Sequence, residues 1–309
     1  MSETSHKIPA VPAALPLVPV DVRRRSDGRV LNAMSVDVEE HFQVQALAGQ
    51  NPRKLWDQRE SRVEYSTNKV LDLFADAGVK ATFFTLGWVA ERHGGLIRRI
   101  VAEGHELASH GYAHVMVNRQ APAEFRADIR DTKRILEDAG GVPVKGYRAA
   151  TFSIDRHSFW AFPILAEEGY SYSSSISPIR HDLYGMPDAP RRPFYPVPGN
   201  TFPELPIATV RVGDRNWPCG GGGYFRLLPY TLSHWALSRI NLRENASAMF
   251  YFHPWEVDPG QPRERQAPLK SRLRHYSNLG RMADRLSRLL RDFAWDRVDR
   301  VFCPGPGKQ

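Results

Sequence analysis

The chain has few cysteines. Cys219 and Cys303 are its only two among 309 residues. Their separation fits neither a metal-binding nor a redox motif, and two cysteines cannot form a disulfide framework. This cysteine usage is typical of a protein from a reducing compartment. We therefore expect a fold that depends on its hydrophobic core.

Long apolar runs are also missing. No segment approaches the roughly 18 consecutive apolar residues that a transmembrane helix requires. The mildly apolar segment from Ala10 to Val20 is interrupted by three prolines, and neither a hydrophobic signal region nor a small-residue cleavage site is evident. These features predict a cytoplasmic protein in which residues 1–30, rich in proline and arginine, form a flexible extension.

What the chain does contain suits one large domain. Hydrophobic residues make up 42% of it and aromatic residues 11%, enough for a single sizeable core. Three segments are typical of buried strands: 31–38, 81–86 and 248–252. Four segments are typical of helices: 63–76, 89–103, 122–139 and 158–168. This alternation predicts a parallel α/β architecture, either a barrel or an open sheet.

Two carboxylates stand at the end of the first predicted strand. Asp37 and Glu39 are two residues apart, so on a strand both side chains point the same way. Strand C-termini are where α/β folds collect active-site groups. We therefore expect one carboxylate to bind a metal and the other to act as a base. The alternative is an acidic strand end that faces solvent.

A His-x-x-x-His pair, His110 and His114, follows a short strand-like stretch. On a helical turn, residues four apart lie about 6 Å apart on one face, close enough for both imidazoles to share an ion. The chain has 11 histidines, so this spacing alone proves little. Two histidines and one carboxylate would leave a coordination position open for water, as catalytic zinc sites require.

Five segments carry ordered motifs: 35–39, 81–84, 110–114, 146–152 and 250–256. Together they resemble the polysaccharide deacetylases of carbohydrate esterase family 4, in particular a subgroup from exopolysaccharide gene clusters linked to exosortase-type systems. The resemblance implies a distorted (β/α) barrel of about seven parallel strands. It implies a single catalytic domain over residues 31–305, with a subgroup-specific C-terminal portion from about residue 175 to 305.

The resemblance also implies a role for each matching residue. Asp37 matches the base, His253 the acid that protonates the leaving amine, and Arg148 an arginine that pairs with the base. The implied metal ligands are Glu39, His110 and His114. Zinc is the expected metal, and the same ligands could accept Co²⁺, Ni²⁺ or Fe²⁺.

The chain departs from the family pattern at a few positions. Val38 separates the two carboxylates of the first motif, which are adjacent in the commonest version. Ala150 stands where the family usually has a proline, and Ser173 stands where an acidic residue is expected. The first departure also makes the carboxylate ligand a glutamate, Glu39, instead of an aspartate, whereas the other two affect the charge surroundings of the metal site.

Aromatic residues beside the motifs are candidates for sugar stacking. The predicted substrate-binding residues are Phe152, Trp255, Tyr224 and Trp217, for which core packing is the alternative. The glycine run 220–223 lacks the features of a phosphate loop, and we expect a flexible loop on the substrate side.

The segment 261–300 carries 11 Lys/Arg and five Asp/Glu. Apolar residues recur in it at intervals of three and four, which predicts one long amphipathic helix. We expect this helix to pack on the domain with a solvated basic face. The alternative is attraction to anionic lipids of the inner membrane or to a lipid-linked glycan. Nucleic acid is not expected, because the aromatic residues fall on the apolar stripe.

The expected function is hydrolysis of N-acetyl groups on N-acetylhexosamine units of an exopolysaccharide or its lipid-linked precursor. One alternative is an amidohydrolase of the same fold that opens small cyclic amides. Another is a glycan-binding scaffold without catalytic activity.

Overall fold

The computed structural model describes residues 15–303 except Pro198 and Asn200. One parallel sheet contains seven strands: β1 (Leu31–Val38), β2 (Thr82–Thr85), β3 (Glu106–Ser109), β4 (Gly146–Tyr147), β5 (Tyr172–Ser173), β8 (Met249–Phe252) and β9 (Ala294–Asp296). Their order is β5-β4-β3-β2-β1-β8, and β9 also pairs with β1. Two further strands, β6 (Thr209–Val212) and β7 (Arg215–Pro218), form an antiparallel hairpin. The expected distorted (β/α) barrel is confirmed.

A segment without regular secondary structure, which contains Leu205 and Ala208, closes the barrel between β5 and β8. On the β5 side, the backbone N–H of Leu205 donates to the carbonyl of Ser173 at 2.8 Å. On the β8 side, the N–H of Ala208 donates to the carbonyl of Met249 at 3.1 Å. Backbone hydrogen bonds therefore continue around the curl, although the regular strand ladder stops at β5.

Helices cover the outside of the sheet, and several begin and end where the sequence predicts. They are α1 (Val63–Ala77), α2 (Gly87–Arg92), α3 (Gly94–Ala102), α4 (Pro122–Gly140), α5 (Ala161–Glu167), α6 (Gly222–Leu227), α7 (Tyr230–Ser238), α8 (Leu269–Tyr276), α9 (Met282–Asp292) and α10 (Val298–Phe302). Gly78 ends α1 in the left-handed conformation, at φ 62°, as a C-terminal glycine does. The helix predicted over 89–103 is two helices, because the chain leaves helical geometry at His93 just before two glycines. Among the described residues, no helix has the length and apolar character needed to cross a bilayer.

The described part of the predicted N-terminal extension lies along the domain. The backbone N–H of Val18 donates to the carbonyl of Pro193 at 2.9 Å, and that of Leu31 donates to Arg23 at 2.8 Å. Residues 1–14 of the predicted extension lie outside the described residues.

The glycine run is part of the packed barrel and not a flexible loop, so that part of the prediction is wrong. Gly220, Gly221 and Gly222 are buried, and α6 begins at Gly222. At Gly221, with φ 108°, an added Cβ would lie 1.9 Å from the carbonyl oxygen of Tyr251. Glycine is needed here because the chain passes so close to β8.

The prediction of one long C-terminal helix is also wrong. The segment forms α8 and α9, separated by Asn278 in the left-handed conformation at φ 58°. The apolar residues beyond this break are buried: Leu279, Met282, Leu286 and Leu289. In contrast, Leu269 and Leu273 of α8 are 66% and 58% exposed. The spacing of apolar residues therefore continues across a turn at Asn278, which is why it wrongly predicted a single helix.

Glu204 is a fully buried carboxylate beside the barrel closure. Its Oε1 accepts hydrogen bonds from the backbone N–H groups of Ser175 at 2.7 Å and Ile176 at 2.8 Å. Burial nevertheless raises the pKa of Glu204 from 4.5 to about 7. The folded state thus binds this proton more tightly than the unfolded state. The protonated Glu204 side chain stabilises the folded state fully below its unfolded pKa of 4.5. This stabilisation is lost as the pH rises through about 7.

Replacing Glu204 with glutamine should therefore stabilise the protein more at alkaline pH than at acidic pH. Glutamine keeps the acceptor oxygen and removes the buried charge. Between about pH 5 and pH 8, the free energy of unfolding of the variant relative to wild type should rise by about 3 kcal/mol. Urea unfolding of both proteins across this range measures it, with the exposed substitution Glu60→Gln as control. A difference that stays constant with pH would show that Glu204 does not titrate in this range.

Candidate metal centre

The predicted site residues meet at the C-terminal edge of the parallel sheet. Asp37 lies near the end of β1 and Glu39 just after it, while His110 follows β3, Arg148 follows β4 and His253 follows β8. Adjacent strands end at the same level, because their registers pair neighbouring C-terminal residues. A cavity of about 260 Å³ opens at this edge, and all of these residues except the buried Arg148 line it.

Glu39, His110 and His114 form a cluster that we call the ligand trio. Their candidate ligand atoms all lie within 4.8 Å of one another, and Nε2 of His114 is 3.0 Å from Oε2 of Glu39. Two atoms bound to one zinc ion at about 2.0–2.2 Å lie about 3.3 Å apart in a tetrahedral site. Oε2 of Glu39 is buried, and no donor among the described residues reaches it with normal hydrogen-bond geometry. The trio therefore fits a divalent metal ion.

The protonation states of His110 and Glu39 also suit a metal. Burial lowers the pKa of His110 to about 4, so its ring is neutral near pH 7. Its Nδ1 faces the carbonyl of Arg148 at 2.9 Å and must donate there, which leaves Nε2 as the free acceptor. Burial opposes ionisation of Glu39, but His114 and His253 together lower the pKa of Glu39 to about 2. Metals bind these forms, the neutral imidazole and the carboxylate.

The histidine pair does not lie on a helical turn, so that part of the prediction is wrong. Residues 110–114 form an irregular bend after β3, with Gly111 at φ 73° and His114 at φ 54°. The bend is anchored where the backbone N–H of Tyr112 donates to Asp128 at 2.8 Å. It brings the rings of His110 and His114 to 5.4 Å. A non-glycine residue with positive φ is uncommon and is often found where function constrains the chain.

Arg148 holds Asp37 from behind the cavity. The arginine is fully buried, and its Nη1 donates to Oδ1 of Asp37 at 2.6 Å and to the hydroxyl of Ser35 at 2.9 Å. Its Nε and Nη2 donate to the carbonyl and hydroxyl of Ser174 at 3.1 and 3.0 Å. This network fixes the direction of the Asp37 carboxylate, because a charge-assisted pair without solvent has little freedom to rotate.

A carboxyl group from elsewhere in the chain, that of Glu204, lies near position 173, where the family pattern has an acid. The hydroxyls of Ser173 and Ser175 lie 2.7 Å apart, and that of Ser175 accepts from the backbone N–H of Ala149 at 2.9 Å. Glu204 lies beside these serines and binds the backbone of Ser175. The sequence carried no signal for Glu204, which is 31 residues beyond Ser173 and in no recognised motif.

Glu256 supports His253, and the sequence analysis gave it no role. Its Oε1 lies 2.9 Å from Nδ1 of His253 and accepts from the backbone N–H of the same histidine at 3.0 Å. Burial would lower the pKa of His253, but Glu39 and Glu256 raise it to about 9, so the ring is protonated near neutrality. Glu256 lies three residues after His253 in the same motif, and this spacing could have indicated the contact.

Arg226 holds Glu256 in turn. Its Nε donates to Oε2 of Glu256 at 2.5 Å, and both side chains are buried. Burial alone would raise the pKa of Glu256, but Arg226 and His253 lower it to about 2. Arg226 and Glu256 are 30 residues apart, so no local spacing indicated the pair.

The predicted stacking residues occupy two different places. Phe152 and Trp255 line the cavity but are each only 5% exposed. Trp255 is stacked between the rings of His253 and His275, at 5.0 and 4.1 Å, and its indole N–H donates to Glu39 at 3.3 Å. This ring therefore orients two site residues, and its contact with a sugar stays a prediction.

Tyr224 and Trp217 lie towards a second, wider cavity. A groove of about 650 Å³ adjoins the catalytic cavity, and Tyr224 lines both. Trp217 is 55% exposed and lines only the groove. A ring this exposed can stack on a sugar without displacing core residues. The structure thus brings Tyr224 to the wall of the catalytic cavity and places Trp217 beside the site rather than in it.

Comparison with known proteins identifies two matching segments. Residues 56–170 match the family model described as polysaccharide deacetylase, and residues 174–303 match a domain of unknown function, DUF3473. A chitooligosaccharide deacetylase of Bradyrhizobium sp. (strain ANU 289) is 33% identical over 102 residues, covering 33% of this chain and 44% of that protein. A peptidoglycan-N-acetylglucosamine deacetylase of Bacillus cereus is 38% identical over 82 residues, covering 26% and 30%. The match thus spans less than half the length of either relative.

A solved structure shows a similar overall fold. It belongs to a Mycobacterium smegmatis protein assigned to the polysaccharide deacetylases, with a TM-score of 0.59 and 19% identity. The similarity covers 92% of this chain and 93% of that chain. At this identity, the likeness concerns the fold alone.

Proposed function

The chain belongs to the polysaccharide deacetylase family (carbohydrate esterase family 4), and we propose that it is a metal-dependent N-deacetylase. Its proposed substrate is the N-acetylhexosamine of an exopolysaccharide or of its lipid-linked precursor. One observation carries the proposal: a candidate base, Asp37, and a candidate acid, His253, line the same cavity as the ligand trio. Each is held by its own buried partner, Arg148 or Glu256.

The proposed reaction needs three contributions, because an acetamide is a poor electrophile with a poor leaving group. The carbonyl must be polarised, a water must be activated, and the departing nitrogen must receive a proton. A divalent metal bound by the trio, for which we propose zinc, would supply Lewis acidity to the carbonyl and lower the pKa of water.

In the proposed reaction, Asp37 receives the proton of the attacking water. Its carboxylate lines the cavity, and Arg148 holds Oδ1 from the buried side. The arginine keeps the carboxylate oriented while its charge changes during proton transfer. A base that is positioned in this way contributes typically 10²–10⁴-fold to a rate, as an order of magnitude.

In the proposed reaction, His253 protonates the leaving amine. Because Nδ1 faces Glu256, the other ring nitrogen, Nε2, is directed towards Glu39 at 3.5 Å and the cavity. Glu256 beside Nδ1 helps to raise the pKa of this ring, which favours its protonated form. In this proposal Asp37 accepts a proton and His253 donates one within the same cavity.

The two matched segments contribute to one site. His253, Glu256, Arg226 and Tyr224 all belong to the segment 174–303, whereas the ligand trio and Asp37 precede it. We therefore propose that residues 31–305 act as a single catalytic domain.

The shape of the site favours a glycan over a small cyclic amide. The cavity of about 260 Å³ suits one acetylated sugar ring, and the adjoining groove can hold neighbouring units. A small cyclic amide would need only a closed pocket. The exposed Trp217 lies in the groove, where a polymer would pass.

Acetate release tests the proposal directly. The purified protein should release acetate from N-acetylglucosamine oligomers, lose this activity after chelation and regain it with added zinc. Dihydrouracil, a small cyclic amide, should not be hydrolysed. Efficient hydrolysis of dihydrouracil without acetate release from oligomers of any length would contradict the polysaccharide assignment.

A further inference from the structure

Helix α8 presents leucines to solvent instead of to the core. Leu269 and Leu273 are 66% and 58% exposed, and their four-residue spacing places them on one helix face. Lys270 and Arg272 lie between them in sequence and are also exposed. Scattered exposed leucines are ordinary, but a helix that combines them with basic residues is typical of membrane-surface helices.

This helix lies beside the mouth of the catalytic cavity. Asp182 accepts hydrogen bonds from Lys270 at 2.6 Å and from Arg274 at 3.1 Å, which joins the segment around Asp182 to α8. Leu183 follows in that segment, lines the cavity and is 39% exposed. Leu183 and the exposed leucines of α8 therefore lie on two segments that the contacts of Asp182 hold together.

A further exposed leucine, Leu227, lies on a helix that is also attached to α8. Arg226 donates to the backbone carbonyls of Arg274 and Ser277 at 3.0 and 2.7 Å, which fastens the end of α6 to the end of α8. Leu227 follows Arg226, lines the cavity and is 47% exposed. We call the four leucines around α8 and the cavity mouth the apolar rim. They are Leu183, Leu227, Leu269 and Leu273.

The charge around the apolar rim is positive. Residues 261–276 contain five Lys/Arg and one acidic residue, Glu264, which lies 3.4 Å from Arg59. The exposed cations of this segment are Arg263, Arg265, Lys270 and Arg272, of which Lys270 is paired with Asp182. Basic residues next to exposed leucines complement an anionic lipid surface, where each basic side chain strengthens attachment.

We propose that the apolar rim and the basic residues of α8 dock the protein on an anionic phospholipid bilayer, with the cavity mouth facing the lipid. The inference rests on the proposed function, because it selects the lipid-linked precursor as the glycan that reaches the cavity. Leucine side chains would enter the headgroup boundary, and Arg272 and its neighbours would contact the phosphates. A substrate that is anchored in the same bilayer then meets the ligand trio without leaving the membrane surface.

Vesicle sedimentation tests the apolar part of this surface. The full chain should sediment with phosphatidylcholine vesicles that contain about 30 mol% phosphatidylglycerol, and much less with pure phosphatidylcholine. Replacing both Leu269 and Leu273 with serine should lower the partition coefficient at least about tenfold. Leu242→Ser is the matched control, since Leu242 is 79% exposed and outside the rim. An equal loss in the control would overturn the proposal.

The basic part is tested by charge reversal. Arg272→Glu should lower vesicle binding about tenfold, since two units of charge change, and added salt should weaken wild-type binding. Arg134→Glu, on the exposed surface of α4, should have no such effect. Absence of wild-type binding to the anionic vesicles would overturn the proposal. So would a wild-type dimer, seen by light scattering, that the double serine variant converts to monomer.

Acetate release from soluble oligomers distinguishes a failure of the membrane-docking proposal from a failure of the deacetylase proposal. Leu269 and Leu273 do not line the cavity, so the double serine variant should keep wild-type activity on soluble oligomers. Vesicle binding without acetate release would support docking and count against the deacetylase assignment. Acetate release without any preference for anionic vesicles would support the deacetylase and overturn docking.

Discussion

Replacing Glu39 with glutamine is expected to abolish metal binding and activity while the protein stays folded. Glutamine has nearly the same shape, but it removes the charged oxygen 3.0 Å from Nε2 of His114. Mutation of residues that only support metal ligands costs about 10–100-fold in metal affinity, so loss of a ligand should exceed about 100-fold. Metal content after dialysis and competition with a chelator measure this loss.

Glu204→Gln provides the matched control for Glu39. It also removes the charge of a buried glutamate, but one that lies outside the ligand trio. The control should retain about one metal ion per chain. Full metal content in Glu39→Gln, together with loss in Asp37→Asn, would show that the ligand and the base have been exchanged. A crystal structure with the ion more than about 3 Å from Glu39 would also contradict the assignment.

Replacing His253 with alanine is expected to separate amide from ester hydrolysis. Turnover on N-acetylglucosamine oligomers should fall by about 10²–10⁴-fold, because the leaving amine then lacks its proton donor. An acetate ester with a good leaving group, such as 4-nitrophenyl acetate, should lose much less. Metal content should not change, since His253 is outside the ligand trio.

The exposed His157 supplies the control for this experiment. It does not line the cavity, so His157→Ala should leave both activities unchanged. Equal losses on the amide and the ester in His253→Ala would contradict the assignment of His253 as the acid. Loss of metal in the same variant would indicate that His253 has a role in binding instead.

Local patterns were sufficient for most of the barrel scaffold. The apolar run 31–38 is β1 over its whole length, and Gly78 ends α1 as the sequence predicted. Strand parity also placed Asp37 and Glu39 towards the same cavity. These features depend on side chains within a few residues, so spacing and backbone sterics are enough to indicate them.

The same patterns failed where distant segments meet. The apolar spacing of the C-terminal segment continued across Asn278, but packing of α9 on the core requires a turn there. The glycine run suggested a flexible loop because its neighbour, the carbonyl of Tyr251, is about thirty positions away on β8. A close approach of this kind leaves no local periodic signal.

The sequence by itself determined the strand and helix types and the residue types of the candidate metal centre. Its motifs contain the ligand trio, Asp37 and His253, because metal and proton chemistry restrict which side chains can serve. Only the tertiary structure decided that Arg226 holds Glu256 and that Glu204 lies beside Ser173. Each of these depends on which distant segments share a buried, water-free environment, where an unpaired charge is costly, and local spacing does not specify that partnership.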